Sequence, residues 1–115
     1  MTVNANYTGN IRKPFCQTLT GTSKTTIGPV VDAGDRTNTL ASWSFVNPTG
    51  APVNCELYWN DGTTDYLVWR KAVAANSTEV ESNLPIRLDG GNSIKVVGAN
   101  TVTITLIYSL AYQVS

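Results

Sequence analysis

The sequence predicts an all-β protein, an antiparallel two-sheet β-sandwich of jelly-roll or immunoglobulin-like type with an extended N-terminal arm. Three observations carry that expectation. Residues 101–112 alternate Val102, Ile104, Leu106, Tyr108, Leu110 and Tyr112 with Thr101, Thr103, Thr105, Ile107, Ser109 and Ala111, and a period of two over that length has no helical explanation. Similar short runs recur at roughly 8–12-residue spacing with turn residues between them, the rhythm of a sandwich or barrel. Thr, Val, Asn and Gly are abundant, and charged residues are only 14% of the chain, too few to give helices a solvent-facing side.

The elements follow in order. Residues 1–21 scatter Asn4, Asn6, Asn10, Arg12, Lys13 and Gln17 among few apolar groups, with no sustained period. They read as an arm, either a plain tail or a segment that orders on a partner, with Phe15, Cys16 and Leu19 available to anchor its distal end. The sandwich domain then takes 22–115. Thr25-Thr26-Ile27 stops at Gly28-Pro29, and Val30-Val31 stops at a turn cluster over 32–35. Residues 40–46 are a half-buried strand with Ala41, Trp43 and Phe45 on one face and Ser42 and Ser44 on the other. The loop 47–52 contains two prolines and cannot continue a ladder. Val53, Cys55, Leu57 and Trp59 then share a face, and Asn60-Asp61-Gly62 is a hairpin signal because Asp-Gly tolerates positive φ. The return strand 65–71 is apolar on both faces, Tyr66 and Val68 against Leu67 and Trp69, which places it under cover on both sides or at a contact surface.

A short strand around 79–81 follows, then residues 84–88 with Leu84, Ile86 and Leu88 on one face and Pro85 at a sheet edge. Residues 93–97 and 101–112 read as a final pair across Gly98-Ala99-Asn100. The total is about seven or eight strands in one domain. The expected core is Trp43, Phe45, Leu57, Ile94, Val96, Ile104 and Leu106, with Trp59 filling it as well.

The chemistry is defined mainly by what is missing. With no histidine there is no Ser-His-Asp triad, Cys-His pair or imidazole metal ligand. Eight basic and eight acidic residues cancel, so no field draws nucleic acid or an anionic membrane. The opening residues lack the basic end and apolar stretch of a signal peptide, and the expectation is a soluble protein made in the cytosol. Cys16 and Cys55 are expected as reduced thiols, Cys55 as a small core hydrophobe. Asp61, Asp65 and Glu56 lack the ligand order of a calcium loop, and Asp61 is explained as a turn residue. No carboxylate pair stands out for glycosidase chemistry. The expectation is no enzyme, no cofactor and no metal. Tyr58, Trp59, Tyr66 and Trp69 flank one hairpin, and if exposed they make either a protein hot spot or a carbohydrate-stacking platform built on Tyr58, Tyr66 and Trp69.

Four motifs stand in sequence: Thr25-Thr26-Ile27; Trp43-Ser44-Phe45-Val46-Asn47; residues 86–96 reading Ile-Arg-Leu-Asp-Gly-Gly-Asn-Ser-Ile-Lys-Val; and the Thr/Val-alternating strand from Val102 to Leu106. On these the stretch 25–112 resembles the small β-sandwich structural proteins of tailed-bacteriophage virions. It departs from them at Asn92, where an Asp is commoner, and in its longer Trp-rich hairpin. The resemblance implies a non-enzymatic virion protein, made in the host cytoplasm, that decorates or cements the capsid by binding the major capsid protein. A neck or tail adaptor or a tail-associated component is the alternative position. The resemblance also implies a multicopy protein, a homo-oligomer with a trimer as the first expectation; the balanced charge adds the expectation of no nucleic-acid or membrane partner. Protein contact falls to Tyr58, Tyr66 and Trp69 on the hairpin and to Arg12 and Phe15 on the arm.

Overall fold

The structure is a computed structural model that describes residues 13–28 and 36–112. Among these residues there are nine strands and no helix: β1 Phe15–Thr18, β2 Thr25–Ile27, β3 Arg36–Asn47, β4 Val53–Asn60, β5 Asp65–Val73, β6 Ser77–Glu81, β7 Ile86–Leu88, β8 Ser93–Val97 and β9 Thr103–Tyr112. One sheet runs β1-β9-β3-β6, with β7 also on β3, and the other runs β2-β8-β4-β5. All pairings are antiparallel. The sequence left two sandwich types open, and this order is that of a jelly roll. Pairing β4 with β5, β3 with β6 and β7, β2 with β8 and β1 with β9 describes one long nested hairpin. Rolling that hairpin up adds the β3–β9 and β4–β8 ladders and buries one face of each sheet.

The tip of the nested hairpin is the reversal at 61–64. Asp61 N–H donates to Thr64 O at 3.2 Å, and its Oδ1 accepts from the N–H groups of Thr63 and Thr64 at 2.9 and 2.8 Å. Gly62 sits at φ +111°, a conformation side chains rarely adopt. At the opposite end the fastener is Asn47, wholly buried at the end of β3. Its Nδ2 donates to Ala51 O, Val73 O and Ala74 O at 2.8–3.2 Å, and its Oδ1 accepts from Thr49 N and Oγ1. One side chain thus ties the end of β5 in one sheet to the end of β3 in the other.

The seven expected core residues are all buried, joined by Leu19, Ile27, Leu40, Cys55, Val73, Leu88, Val102 and Tyr108. Several expectations change. A bulge at Ala41 shifts the β3–β9 register, so Leu40 and Trp43 both point inward and Ala41 does not share their face fully. Strict alternation from Trp43 would put Leu40 on the outer face with Ser42 and Ser44. Residues 93–97 and 103–112 are not partners: β8 and β9 lie in different sheets, and the intervening segment crosses from one to the other. Leu19 fastens that crossing through hydrogen bonds with Val102 and Thr101, both at 2.8 Å. A Cβ on Gly98 would come to 2.8 Å from Leu19 Cδ1, so a larger residue there would push that buried side chain aside.

Leu84 is 41% exposed and precedes its strand, leaving Ile86 and Leu88 to face the core. Trp59 only lines the core. The sheet begins before Gly21: β1, read as part of the arm, pairs along β9 from Phe15↔Leu106 to Thr18↔Thr103. Residues 1–12 and Val30-Val31 lie outside the described residues.

Leu106 sits in the middle of β9, paired with Phe15 on one side and Trp43 on the other, with no exposed surface. Leu106→Ala is expected to cost about 2–5 kcal/mol of unfolding free energy in urea titration, since the site cannot collapse between two paired strands. Far-ultraviolet circular dichroism should stay β-dominated in both proteins.

Candidate functional site

The β4–β5 hairpin positions the polar and aromatic residues singled out in the sequence, and a β-bulge decides where they point. Leu57 pairs with Trp69 but Tyr58 pairs with Leu67, so Val68 is the extra residue in β5. Leu67 therefore turns outward with Tyr58, and Trp69 turns inward with Leu57. This is how a strand with two apolar faces is accommodated. Trp69 stacks on Phe45 of the facing sheet (centroids 5.1 Å apart, 24° between planes) and meets Trp43 edge-on at 6.1 Å. Tyr66 lies against Trp59 at the open side of the sandwich, 52% exposed. Leu67 is 45% exposed on the outer face.

The three rings Tyr58, Tyr66 and Trp69 do not form one platform. Tyr58 faces out, Trp69 faces the core, Tyr66 sits at the rim, and Lys24 Nζ covers the Tyr58 ring at 3.9 Å from its centroid. Phe15 is half-buried and packs on the core, so it serves the sheet first. Arg12 lies outside the described residues.

Around Tyr58 the outer face of the β2-β8-β4-β5 sheet carries a continuous charge network. Arg70 Nε donates to Glu56 Oε2 at 2.8 Å, and Tyr58 Oη donates to Glu56 Oε1. Asp65 receives Asn60 Nδ2 at 2.7 Å, Lys24 Nζ at 3.2 Å and Lys95 Nζ at 3.3 Å. The hydrogen bond from Tyr58, then Arg70, holds the Glu56 carboxyl below its usual range, and the same bond pushes the Tyr58 phenol up. Asn60, then Lys24 and Lys95, lower Asp65. The backbone N–H groups of Thr64 and Thr63 lower Asp61. The carboxylates weighed as calcium ligands are thus engaged by Tyr58, Arg70, Asn60, lysines and turn amides. Among the described residues no three acidic or thiol side chains converge as a metal site.

The other outer face is different in kind. Across β1, β9, β3 and β6, Cys16, Thr105, Ser44 and Val80 form one row, and Thr18, Thr103, Val46 and Thr78 form the next. None is charged. The edge strands β5 and β6 are joined by Lys71 and Glu79 at 3.2 Å, an ion pair spanning the two sheets. Cys16 is exposed on the neutral face, whereas Cys55 is buried between the sheets with its thiol pushed up to about 11 by burial. Both are free thiols.

Sequence reasoning missed Lys24, Lys95 and Arg70 as parts of one network. The alternation of Glu56 with Tyr58 placed two members on one face, but the partners come from β2, β8 and the bulged β5, whose register no local pattern supplies.

No family model matches the chain, and no curated protein matches it in sequence. Solved structures do match its fold. One, from the Bacillus endospore appendages described as a family of disulfide-linked pili, aligns with a TM-score of 0.51 at 16% identity over 92% of this chain and 90% of its own. Another, a pentameric capsid protein isolated from metagenomic phage sequences, aligns with a TM-score of 0.51 at 13% identity over 98% of this chain and 70% of its own. At these identities the shared property is the fold.

Two outcomes follow from the site. Trp69→Ala removes a ring stacked between the sheets, so the expected effect is a loss of about 3 kcal/mol of stability in urea unfolding, with no change in sugar binding. A soluble sugar that quenches tryptophan fluorescence in the wild type alone contradicts this. The second concerns pH. Glu56 and Asp65 are lowered from 4.5 and 3.8, so their stabilisation is present above those values and lost as pH falls through the lower folded-state values. Asp65→Asn should flatten the acid limb of a thermal-stability profile below about pH 4, and added salt should shrink the difference between the two proteins.

Proposed function

We propose that the chain is a non-enzymatic structural subunit of a tailed-phage virion. It acts as a cyclic homo-oligomer that decorates or cements the capsid by binding the major capsid protein. The observation that carries this reading is the outer surface around β5. A nine-residue edge strand presents Tyr66 and Leu67 beside charges already neutralised within the molecule. Such a surface can be covered by another protein without stranding an ion, because Glu56 and Asp65 bring their own partners with them. Free edges and exposed apolar side chains are what a subunit offers to neighbours.

The likeness to a pentameric phage capsid protein over nearly the whole chain supports the same reading, as does the virion-protein resemblance of residues 25–112. It also favours five copies over the trimer expected from sequence. The jelly roll itself needs no ligand or metal to close, since its core is apolar. A neck or tail-adaptor position is the alternative within the same class.

The test is co-sedimentation of purified protein with bare capsids, with light scattering to count copies. Saturable pelleting with heads and a multiple of the monomer mass are expected, and Leu67→Lys should weaken pelleting about tenfold, the effect of about 1.4 kcal/mol. A wild-type protein that stays monomeric and pellets with neither heads nor tails removes the proposal.

A further inference from the structure

We propose that Asp89, in the turn between β7 and β8, is a site of spontaneous conversion to isoaspartate, and that the fold withholds the same conversion from Asp61. The chain has two Asp-Gly dipeptides, Asp61-Gly62 and Asp89-Gly90. They lie in neighbouring turns, and a Cβ built on Gly62 would stand 3.6 Å from Gly91 O. Glycine after aspartate favours the reaction, because with no Cβ its nitrogen is uncrowded. The Gly90 amide nitrogen attacks Cγ of the protonated Asp89 carboxyl and gives up its proton, and the carboxyl OH departs with that proton as water. The new N–C bond closes a cyclic imide. Water then adds back at one of its two carbonyl carbons. Opening at Cγ restores aspartate. Opening at the backbone carbon leaves the chain running through Cγ, with composition unchanged and one methylene more in the backbone.

Local hydrogen bonding separates the two aspartates. At Asp61 the attacking nitrogen is already committed, since Gly62 N–H donates to Asn60 Oδ1 at 2.7 Å. Asp61 Oδ1 accepts from Thr63 N, Thr64 N and Thr63 Oγ1 at 2.9, 2.8 and 3.1 Å, so swinging Cγ onto Gly62 breaks all of these together. The Thr64 and Thr63 backbone donors also hold the Asp61 carboxyl below its usual range, which shrinks the share of protonated acid able to lose water. At Asp89 the bonds fall the other way. Asn92 grips the backbone, its N–H donating to Asp89 O at 3.0 Å and its Oδ1 accepting from Asp89 N–H at 2.9 Å. The Asp89 carboxylate pairs with Arg87 Nε at 3.0 Å, and the two side chains are 49% and 65% exposed. Such a pair contributes little, and its long cationic arm moves with the group it binds. The turn thus fixes the Asp89 backbone and gives its carboxyl a partner that can follow it. The same turn spends Asn92 Oδ1, so conversion at Asp89 is expected ahead of deamidation at Asn92. The change falls where the two sheets are joined, because β7 belongs to one and β8 to the other, with Leu88 and Ser93 buried on either side.

The experiment is to age the full chain in mildly acidic buffer made with heavy-oxygen water, folded and in parallel in urea, and to map it with trypsin. Cleavage after Arg36, Arg70, Arg87 and Lys95 separates Asp61, in 37–70, from Asp89, in 88–95. Isoaspartate is read by enzymatic carboxyl methylation of the peptides and by the heavy oxygen that ring opening leaves. In the folded protein 88–95 is expected to convert at least about tenfold faster than 37–70, a ratio equal to about 1.4 kcal/mol of barrier. In urea the two rates should converge. Asp89→Glu should abolish conversion in 88–95, because its imide ring would be one atom larger. Asn60→Ala, checked for folding by circular dichroism, should bring conversion to 37–70, and the urea arm carries the test if that variant unfolds. Equal rates in the folded protein overturn the proposal. So does a difference of the same size in urea, which would put the selectivity in the sequence rather than the fold. A peptide 88–95 that gains only the mass of deamidation assigns the reaction to Asn92 and also overturns it.

Discussion

The reversal at residues 61–64 is the constraint from which the other pairings descend. Among the described residues it joins the one pair of consecutive strands that are ladder partners, and the Asp61 carboxylate satisfies two backbone N–H groups that the turn leaves open. Once β4 and β5 are in register, each later pairing extends the same hairpin outward: β3 against β6 and β7, β2 against β8, β1 against β9. Loop-closure entropy rises with every step, since β1 and β9 lie at opposite ends of the chain. The final ladder is therefore the most expensive to close and the most dependent on side-chain burial. Phe15 and Leu19 supply that burial, which is why a nominally polar N-terminal stretch becomes a strand at its distal end.

Rolling the hairpin leaves two problems, and different residues handle them. The sheets must be held together where the loops cross, and Asn47 does so with five hydrogen bonds at a site without solvent. A hydrophobic side chain there would leave carbonyls of the β5 end without a donor, whereas the amide serves both strand ends. The open edges must also resist indiscriminate pairing. Glu79 on β6 and Lys71 on β5 oppose each other across the gap, and the Val68 bulge breaks the regular edge of β5. Inward charge and local twist are both known ways of blunting an edge strand.

The strands were legible wherever one face is buried. In β8 and β9 period-two alternation is strong, and the bounds of β8 were read as they stand, because a one-residue slip would reverse every side chain. What alternation does not carry is the partner. Residues 93–97 and the last strand are close in sequence and look like a hairpin, but five residues suffice to cross between sheets when Gly98 lets the backbone pass against Leu19. Bulges are equally silent. Ala41 and Val68 each add one residue, and each reverses the faces of what lies beyond it. Trp69 illustrates the consequence: read as an open question beside Tyr58 and Tyr66, it is turned inward by a single extra residue and becomes part of the packing with Phe45. The charge network was illegible for the same reason, since its members meet only after β2, β8 and β4 are in register.

The two outer faces show how one fold separates two kinds of surface without a second domain. Alternation forces every strand to send half its side chains outward, so the composition of those positions is free of the core's demands. On β4, β5 and β8 they are Glu56, Tyr58, Asp65, Arg70 and Lys95, each tied to a neighbour and held in fixed geometry. On the other sheet they are mostly hydroxyls with the Cys16 thiol, Val46, Val80 and Ile107, and the cation of Arg87 stands on β7. If stability alone chose these residues, the same sort of exposed ion pair would serve on both faces, because such pairs contribute little either way. The asymmetry lies in what each face offers a neighbour: fixed, paired charges on one and short, mostly uncharged side chains on the other. A face that meets a different protein gains orientation from fixed charges, which reject mismatched partners.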